Sequence, residues 1–199
     1  MEARVMKIGL RLIAALFLFA QATASWAQWE LDNSHSTVNF LSIKNASIAE
    51  THHFNTLVGF ISSEGTVQLA IDLNSIDTAI PIRDDRLRDQ LFETKKFSTA
   101  TVRSKVDIAI LAAVANGGSV STELPLILSL HGFEENLTVP VNVFGESGKL
   151  RVITSRPVIV SAADFGLGES IEALREVAGL NSISTAVPVT VNLLFSHAP

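Results

Sequence analysis

Thr66-Val67-Gln68-Leu69-Ala70-Ile71-Asp72-Leu73 sets Val67, Leu69, Ile71 and Leu73 in alternation with Thr66, Gln68, Ala70 and Asp72. A two-residue period puts successive side chains on opposite faces of an extended chain, so this stretch reads as a strand with one apolar face. The pattern recurs outward in both directions. Leu124, Leu126, Leu128 and Leu130 form a second apolar row, and Val189, Val191, Leu193 and Phe195 form a third. Weaker alternation runs through Val102, Ser104, Val106, Ile108 and Ile110, through Leu137, Val139, Val141 and Val143, and through Phe54, Thr56, Val58 and Phe60. Residues 29–44 and 149–160 also read as strands. Ser63-Glu64-Gly65, Asn116-Gly117-Gly118 and Gly145-Glu146-Ser147-Gly148 supply turns between them. Seven to nine strands with one apolar face each predict a sandwich or a barrel.

Two stretches break the alternation and read as short helices. From Arg83 to Phe92, Leu87 and Leu91 lie four apart, and Asp84 and Asp85 sit in the first turn, where negative charge suits the helix dipole. From Ser170, an N-cap candidate, Ile171, Leu174 and Val177 recur at three-residue spacing until Gly179 ends the run. Helices this short serve as lids or plugs rather than as a wall. Pro125 and Pro140 fall inside strand patterns and cannot donate a ladder hydrogen bond, so bulges or open ladder edges are expected there.

The start of the chain has a different character. Arg4, Lys7 and Arg11 precede an uncharged run from Leu12 to Ala20, and Ser25 and Ala27 offer small residues three and one positions before a cleavage point at Gln28. Residues 1–27 therefore read as a cleaved signal peptide, with an apolar run too short to span a bilayer. Residues 28–199 read as one exported domain, with a bacterial periplasm as the expected location. Removing three basic residues and one acidic residue takes the formal charge from -5 to -7. Acidity of this size argues against nucleic acid and anionic membrane surfaces as main partners, and no stable membrane insertion of the mature chain is expected. There is no cysteine, hence neither a disulfide nor a lipidation site.

Motifs for covalent chemistry are missing. Gly145-Glu146-Ser147-Gly148 and Gly166-Leu167-Gly168 do not fit a nucleophile elbow, and Gly148-Lys149-Leu150 lacks the glycine of a phosphate loop. His35, His52, His53, His131 and His197 lack metal-ligand spacing, and His52 and His53 must point to opposite faces of any strand that holds them. No catalytic residue, metal or cofactor is expected. His35 and His131 adjoin apolar alternating segments and are candidates for contact with a ligand's polar end. Arg83 and Arg86 share a segment with Asp84, Asp85 and Asp89, which reads either as a solvated helix face or as the polar rim of a pocket. Eleven phenylalanines and no tyrosine use the aromatic ring without its hydroxyl. Phe40, Phe54, Phe60, Phe92, Phe97, Phe133 and Phe165 fill a core or, in a barrel of about eight strands, line a cavity for one small ligand.

Four segments in order resemble the YceI-like family of exported lipid-binding proteins. They are Trp29-Glu30-Leu31-Asp32-Asn33-Ser34-His35-Ser36 leading to Val38 and Phe40; Ser75-Ile76-Asp77-Thr78 with Arg83-Asp84-Asp85-Arg86-Leu87, Leu91-Phe92 and Phe97; Leu124 to Gly132 with Val139-Pro140-Val141; and Ala163-Asp164-Phe165-Gly166-Leu167 with the strand ending near Phe195. One departure is a turn: His131-Gly132 runs into Phe133-Glu134-Glu135-Asn136, where the family has a short Thr-Lys-Pro turn.

The resemblance implies an all-β fold, an extended lipocalin-like antiparallel β-barrel with two short helices and an apolar interior cavity. It also implies non-covalent binding of a polyisoprenoid or similar long-chain lipid. The expected cavity lining is Phe40, Phe54, Phe60, Leu91, Phe92, Phe97, Leu130, Phe133 and Phe165, with His35, Arg83 and Arg86 at a polar mouth. A homodimer is compatible with this reading. Two other functions stay open: an enzyme or accessory acting on a small apolar, quinone-like molecule, and an envelope stress or interaction module presenting a strand edge.

Overall fold

The computed structural model describes residues 27–115 and 117–198, so the stretch read as a signal peptide lies outside the described residues except for Ala27. Twelve strand segments follow in order: β1 (Ala27–Leu31), β2 (Thr37–Lys44), β3 (Ile48–Phe54), β4 (Leu57–Ser62), β5 (Thr66–Asp72), β6 (Ile76–Asp77), β7 (Thr99–Lys105), β8 (Ser119–Leu130), β9 (Phe133–Glu146), β10 (Lys149–Thr154), β11 (Val158–Ser161) and β12 (Ala186–His197). Four pairs of these are single strands bent at a break: β1 with β2, β3 with β4, β5 with β6, and β10 with β11. The result is eight antiparallel staves, each paired to the next in chain order. The last stave, β12, pairs with β1 and β2 of the first and closes the barrel. All strands are accounted for in one lipocalin-like, eight-stave barrel.

The breaks form a crease across neighbouring staves. Asn33 lies in a 3-10 turn between β1 and β2, where its Nδ2 donates to Asn55 O at 3.0 Å and its Oδ1 accepts Leu57 N–H at 2.7 Å. Asn55 N–H in turn reaches Ser75 O at 3.0 Å, and Thr56 N–H reaches Ser75 Oγ at 3.0 Å. Ser36 carries the crease to the last stave: its Oγ accepts Leu194 N–H at 2.9 Å and donates to Asp32 O at 2.7 Å. Side-chain groups thus satisfy the backbone donors that the bend takes out of the ladder.

Each crease also resets the inward phase. Val67, Leu69, Ile71 and Leu73 face the interior as their alternation predicts, and Ile76, an even position, takes over after the turn at Leu73–Ser75. In the second stave Phe54 points in, and beyond Asn55 and Thr56 it is Leu57 and Ile61 that are buried. Val58, 67% exposed, and Phe60 therefore lie on the outer face, which corrects the single row read through residues 54–60.

Three short helices, rather than the two expected, lie within the described residues: α1 (Pro81–Arg86), α2 (Ile108–Ala115) and α3 (Gly168–Val177). α1 continues into a π-helical turn, Leu87–Leu91. The unexpected helix is α2, where alternation through Val102 and Val106 had suggested one strand to Ile110. The strand stops at Lys105; Asp107 Oδ1 then accepts Ala109 N–H at 2.8 Å, and four alanines and a leucine favour the helix. Chain order puts α2 at one end of the barrel, with α1, the π turn and α3 at the other.

The two prolines mark ladder ends. Pairing of β7 with β8 stops at Leu126, next to Pro125, whose carbonyl accepts Ser104 Oγ–H at 2.6 Å. Pairing of β9 with β10 stops at Val141, next to Pro140, whose carbonyl accepts Ser155 N–H at 2.9 Å. The long β8–β9 hairpin itself is unbroken, and His131 and Gly132, with φ of 53° and 84°, make the two-residue turn that right-handed strand twist favours.

α2 seats on β9 through a glycine: a Cβ on Gly145 would lie 1.6 Å from Val114 O. Gly145→Ala is therefore expected to force the helix off the barrel end and lower stability by about 1–3 kcal/mol, measured by urea unfolding. An unchanged midpoint would show that α2 does not depend on this contact.

Candidate functional site

The inward rows enclose a cavity of about 280 Å³ that draws its lining from all eight staves. No charged side chain lines it. Ser104, Thr122 and Thr154 carry the sole polar side-chain groups of the lining, and every other lining residue is aliphatic or phenylalanine. The helices stop both ends: Ile110 and Leu111 of α2 close one, and Leu91, Phe92, Leu167 and Ile171 close the other. A site built this way gives a hydrocarbon no partner but dispersion and exclusion of water.

The predicted residues separate into two groups. Phe40, Phe54, Leu91, Phe92 and Leu130 all line the cavity. The ring centroids of Phe40 and Phe54 lie 5.5 Å apart, and those of Phe54 and Phe92 6.0 Å, forming an aromatic layer near one end. Phe60, Phe97, Phe133 and Phe165 do not line it. Phe60 is turned outward by the crease. Phe97 stacks on His131 at 4.5 Å. Phe133, 49% exposed, lies over Gly166 outside the wall, and Phe165 is buried in the 3-10 turn Ala162–Phe165. Most of the lining comes from Val, Leu and Ile in rows the alternation had already marked, such as Leu124, Leu126 and Leu128; weighting phenylalanine missed them.

His35 does not sit at a mouth. It lies in the crease, exposed on the wall, with Nδ1 2.8 Å from Asp32 Oδ2. The Ser34 hydroxyl, with the His35 ring, holds the Asp32 carboxyl below its ordinary range. His131 holds Glu93 Oε2 at 3.2 Å and is also outside the lining. Arg86 is half-buried, and no ion pair forms on it among the described residues.

Arg83 does join a polar layer at one end of the barrel. Its Nη1 donates to Glu50 Oε2 at 2.6 Å, its Nε to Thr78 Oγ1 at 2.8 Å and its Nη2 to Thr78 O at 2.6 Å. Lys44 Nζ meets the same Glu50 oxygen at 2.7 Å. Asp84, buried, accepts from both the amide and the hydroxyl of Thr78. His52, 3% exposed, has Nε2 2.9 Å from Ser42 Oγ. The signal for this layer was present: counting by two from Phe40 gives Ser42 and Lys44, and counting back from Phe54 gives His52 and Glu50.

A closed β-barrel with helices at both ends and a hydrocarbon-lined interior defines a calyx-type protein of the lipocalin-like class. The comparisons narrow that class: the YceI-like domain family matches residues 29–195, and the chain belongs to it. A solved polyisoprenoid binding domain from Saccharophagus degradans, implicated in plant cell wall breakdown, is 40% identical, covers 87% of this chain and 100% of its own, and superposes with a TM-score of 0.84. Burkholderia cenocepacia BcnA, 18% identical over 82% of this chain and 98% of its own, shares the fold at a TM-score of 0.66. No curated protein matches the chain.

The polar layer has a pH signature. Lys44 and Arg83 hold the Glu50 carboxyl below its ordinary value of 4.5, while burial, with Arg83 beside it, holds the His52 imidazole below 6.5. Both groups bind protons more readily when unfolded, so both remove stability as pH falls. Loss is expected to begin below about pH 6.5 from His52 and to steepen below about pH 4.5 from Glu50. Melting temperature against pH should show both stages, with His52→Gln removing the first and Glu50→Gln flattening the second. A curve unchanged by either substitution would refute the assignment.

Proposed function

We propose that the chain is a non-covalent carrier or sequestering protein for a polyisoprenoid or similar long-chain lipid, working in the periplasm after export. The observation that carries this reading is the lining: a barrel cavity without a charged side chain suits a hydrocarbon and little else. Each buried methylene contributes about 0.8 kcal/mol, so roughly ten contribute about 8 kcal/mol before the cost of association. Similarity to the polyisoprenoid binding domain from Saccharophagus degradans supports the ligand class. The apolar run and small-residue site in residues 1–27 support export.

Nothing in this role calls for a bond to be made or broken. Such a protein supplies a dry compartment for a chain that would otherwise aggregate in water. Mass spectrometry of an organic extract of the purified chain is expected to find a long-chain lipid in near-stoichiometric amount. Leu126→Trp, which fills cavity space from the middle of β8, should cut the retained lipid at least severalfold while the barrel stays folded. No lipid in the extract, together with no binding of added polyprenol, would overturn the reading.

A further inference from the structure

Every strand connection at the end of the barrel closed by α1 and α3 carries an exposed large apolar side chain. Ile48 stands at the β2–β3 turn, Ile80 and Ile82 between β6 and β7, Phe133 at the β8–β9 turn and Val177 between β11 and β12, with Ile82 the most open at 61%. Single exposed aliphatics are ordinary on a protein surface; one on each of four connections at the same end is a pattern. The opposite end differs, because beside Ile108 of α2 its turns expose Glu64, Asp107, Glu146 and Lys149.

Three of these connections are fastened to one another at their bases. Asn45 N–H donates to Ser182 O at 3.0 Å and Asn181 N–H to Asn45 Oδ1 at 2.8 Å, which joins the β2–β3 turn to the segment after α3. Arg83 Nη1 donates to Glu50 Oε2 at 2.6 Å and joins α1 to β3. Residues 45–49, 79–82 and 177–184 include no charged side chain. The charged residues that border them, Lys44, Glu50, Arg83 and Glu176, are all paired, the last with Arg175. The rim is thus apolar at its tips and electrically matched behind them.

The same two elements that carry the tips also stop the cavity. Leu91 and Phe92, in the lining, follow α1 through its π-helical turn, while Leu167 and Ile171 line the cavity from the start of α3, the helix that ends at Val177. Separate aliphatic tips suit a fluid phase, which moulds itself to them, better than a protein surface, which has to match their shape. A bilayer is also the phase that a long-chain lipid leaves and rejoins.

We propose that this end of the barrel docks on the surface of a lipid bilayer, dipping Ile48, Ile82 and Val177 into its interfacial region. The inference rests on the lipid-carrier reading and adds where the cargo passes between membrane and cavity. The contact is shallow and reversible; no helix of the described residues is long and apolar enough to span a membrane. Its attraction comes from apolar burial, so it needs no anionic lipid and survives salt.

Flotation of the purified chain with phosphatidylcholine vesicles, with and without phosphatidylglycerol, tests this. The chain should float with both, and equally in about 0.05 M and about 0.5 M salt. Ile82→Asp together with Val177→Asp should lower the partition coefficient about tenfold, while Val58→Asp on the outer face of β4 should leave it unchanged. Because the chain has no cysteine, an environment-sensitive dye on Ile82→Cys reads the docked face without adding charge. Its emission should shift to the blue on vesicles, and that of the same dye on Ile108→Cys at the opposite end should not. No flotation, flotation that requires phosphatidylglycerol or disappears with salt, a partition unchanged by the rim substitutions, or equal shifts of both dyes would overturn the inference. So would a dimer in sedimentation velocity that Ile82→Asp abolishes without affecting flotation, which assigns the face to a second copy of the chain. A chain that retains long-chain lipid but never floats loses the docking surface and keeps the carrier reading; one that floats through this rim yet takes up no polyprenol does the reverse.

Discussion

Closure of the ring by β12 is the constraint on which the rest depends. Trp29 pairs with His197 and Val38 with Val191, so the seam joins the two ends of the described chain. An open sheet of eight staves would leave two edges of unpaired amides and carbonyls, and a lining whose polar side chains are Ser104, Thr122 and Thr154 could not satisfy them. Closed, the wall satisfies its own backbone and leaves its inner face free to be hydrocarbon. Trp29, Leu150 and Phe195, all almost fully buried, pack near that seam, where β12 runs between β1 and β10.

The same constraint explains the crease. A wall this tightly curved needs its staves bent, and bending takes backbone groups out of the ladder. Asn33, Asn55, Ser75 and Ser36 return hydrogen bonds to those groups within a few residues of one another across neighbouring staves. What looks locally like four unrelated polar residues between apolar rows is one line of repair running around the barrel. His35 belongs to that line, paired with Asp32, which is why its place beside an apolar row did not make it a ligand group.

Fold class was legible because alternation survives in any strand with one wet and one dry face. The three strongest rows, through Leu69, Leu126 and Val191, all face the cavity. What alternation could not show was where its phase resets. A two-residue detour at Asn55 and Thr56 leaves the apolar count intact to the eye yet sends Phe60 outward and Ile61 inward. α2 was hidden for a different reason: Ile108 and Ile110 continue the even-numbered row of β7, and the alanine between them satisfies a strand's outer face as readily as a helix. The site suffered from a bias toward rings. Phenylalanine drew attention by its abundance without tyrosine, but Phe97, Phe133 and Phe165 pack around turns, where a large flat side chain covers an irregular backbone.

The division of labour inside the barrel then follows from dielectric environment. In the apolar part no group can distinguish one hydrocarbon from another except by length and shape, so affinity grows with chain and selectivity does not. Selectivity has to arise where polar groups can be held without collapsing the cavity, and the structure provides that at one end, with a layer whose charges are already matched. Burying Arg83 and Lys44 near the interior is tolerable because Glu50 sits between them, and Thr78 with Asp84 fixes the guanidinium from its other side. The imidazole of His52, placed between that network and the Phe40 ring, stands at the boundary between the two environments, its Nδ1 buried and without a hydrogen-bond partner among the described residues.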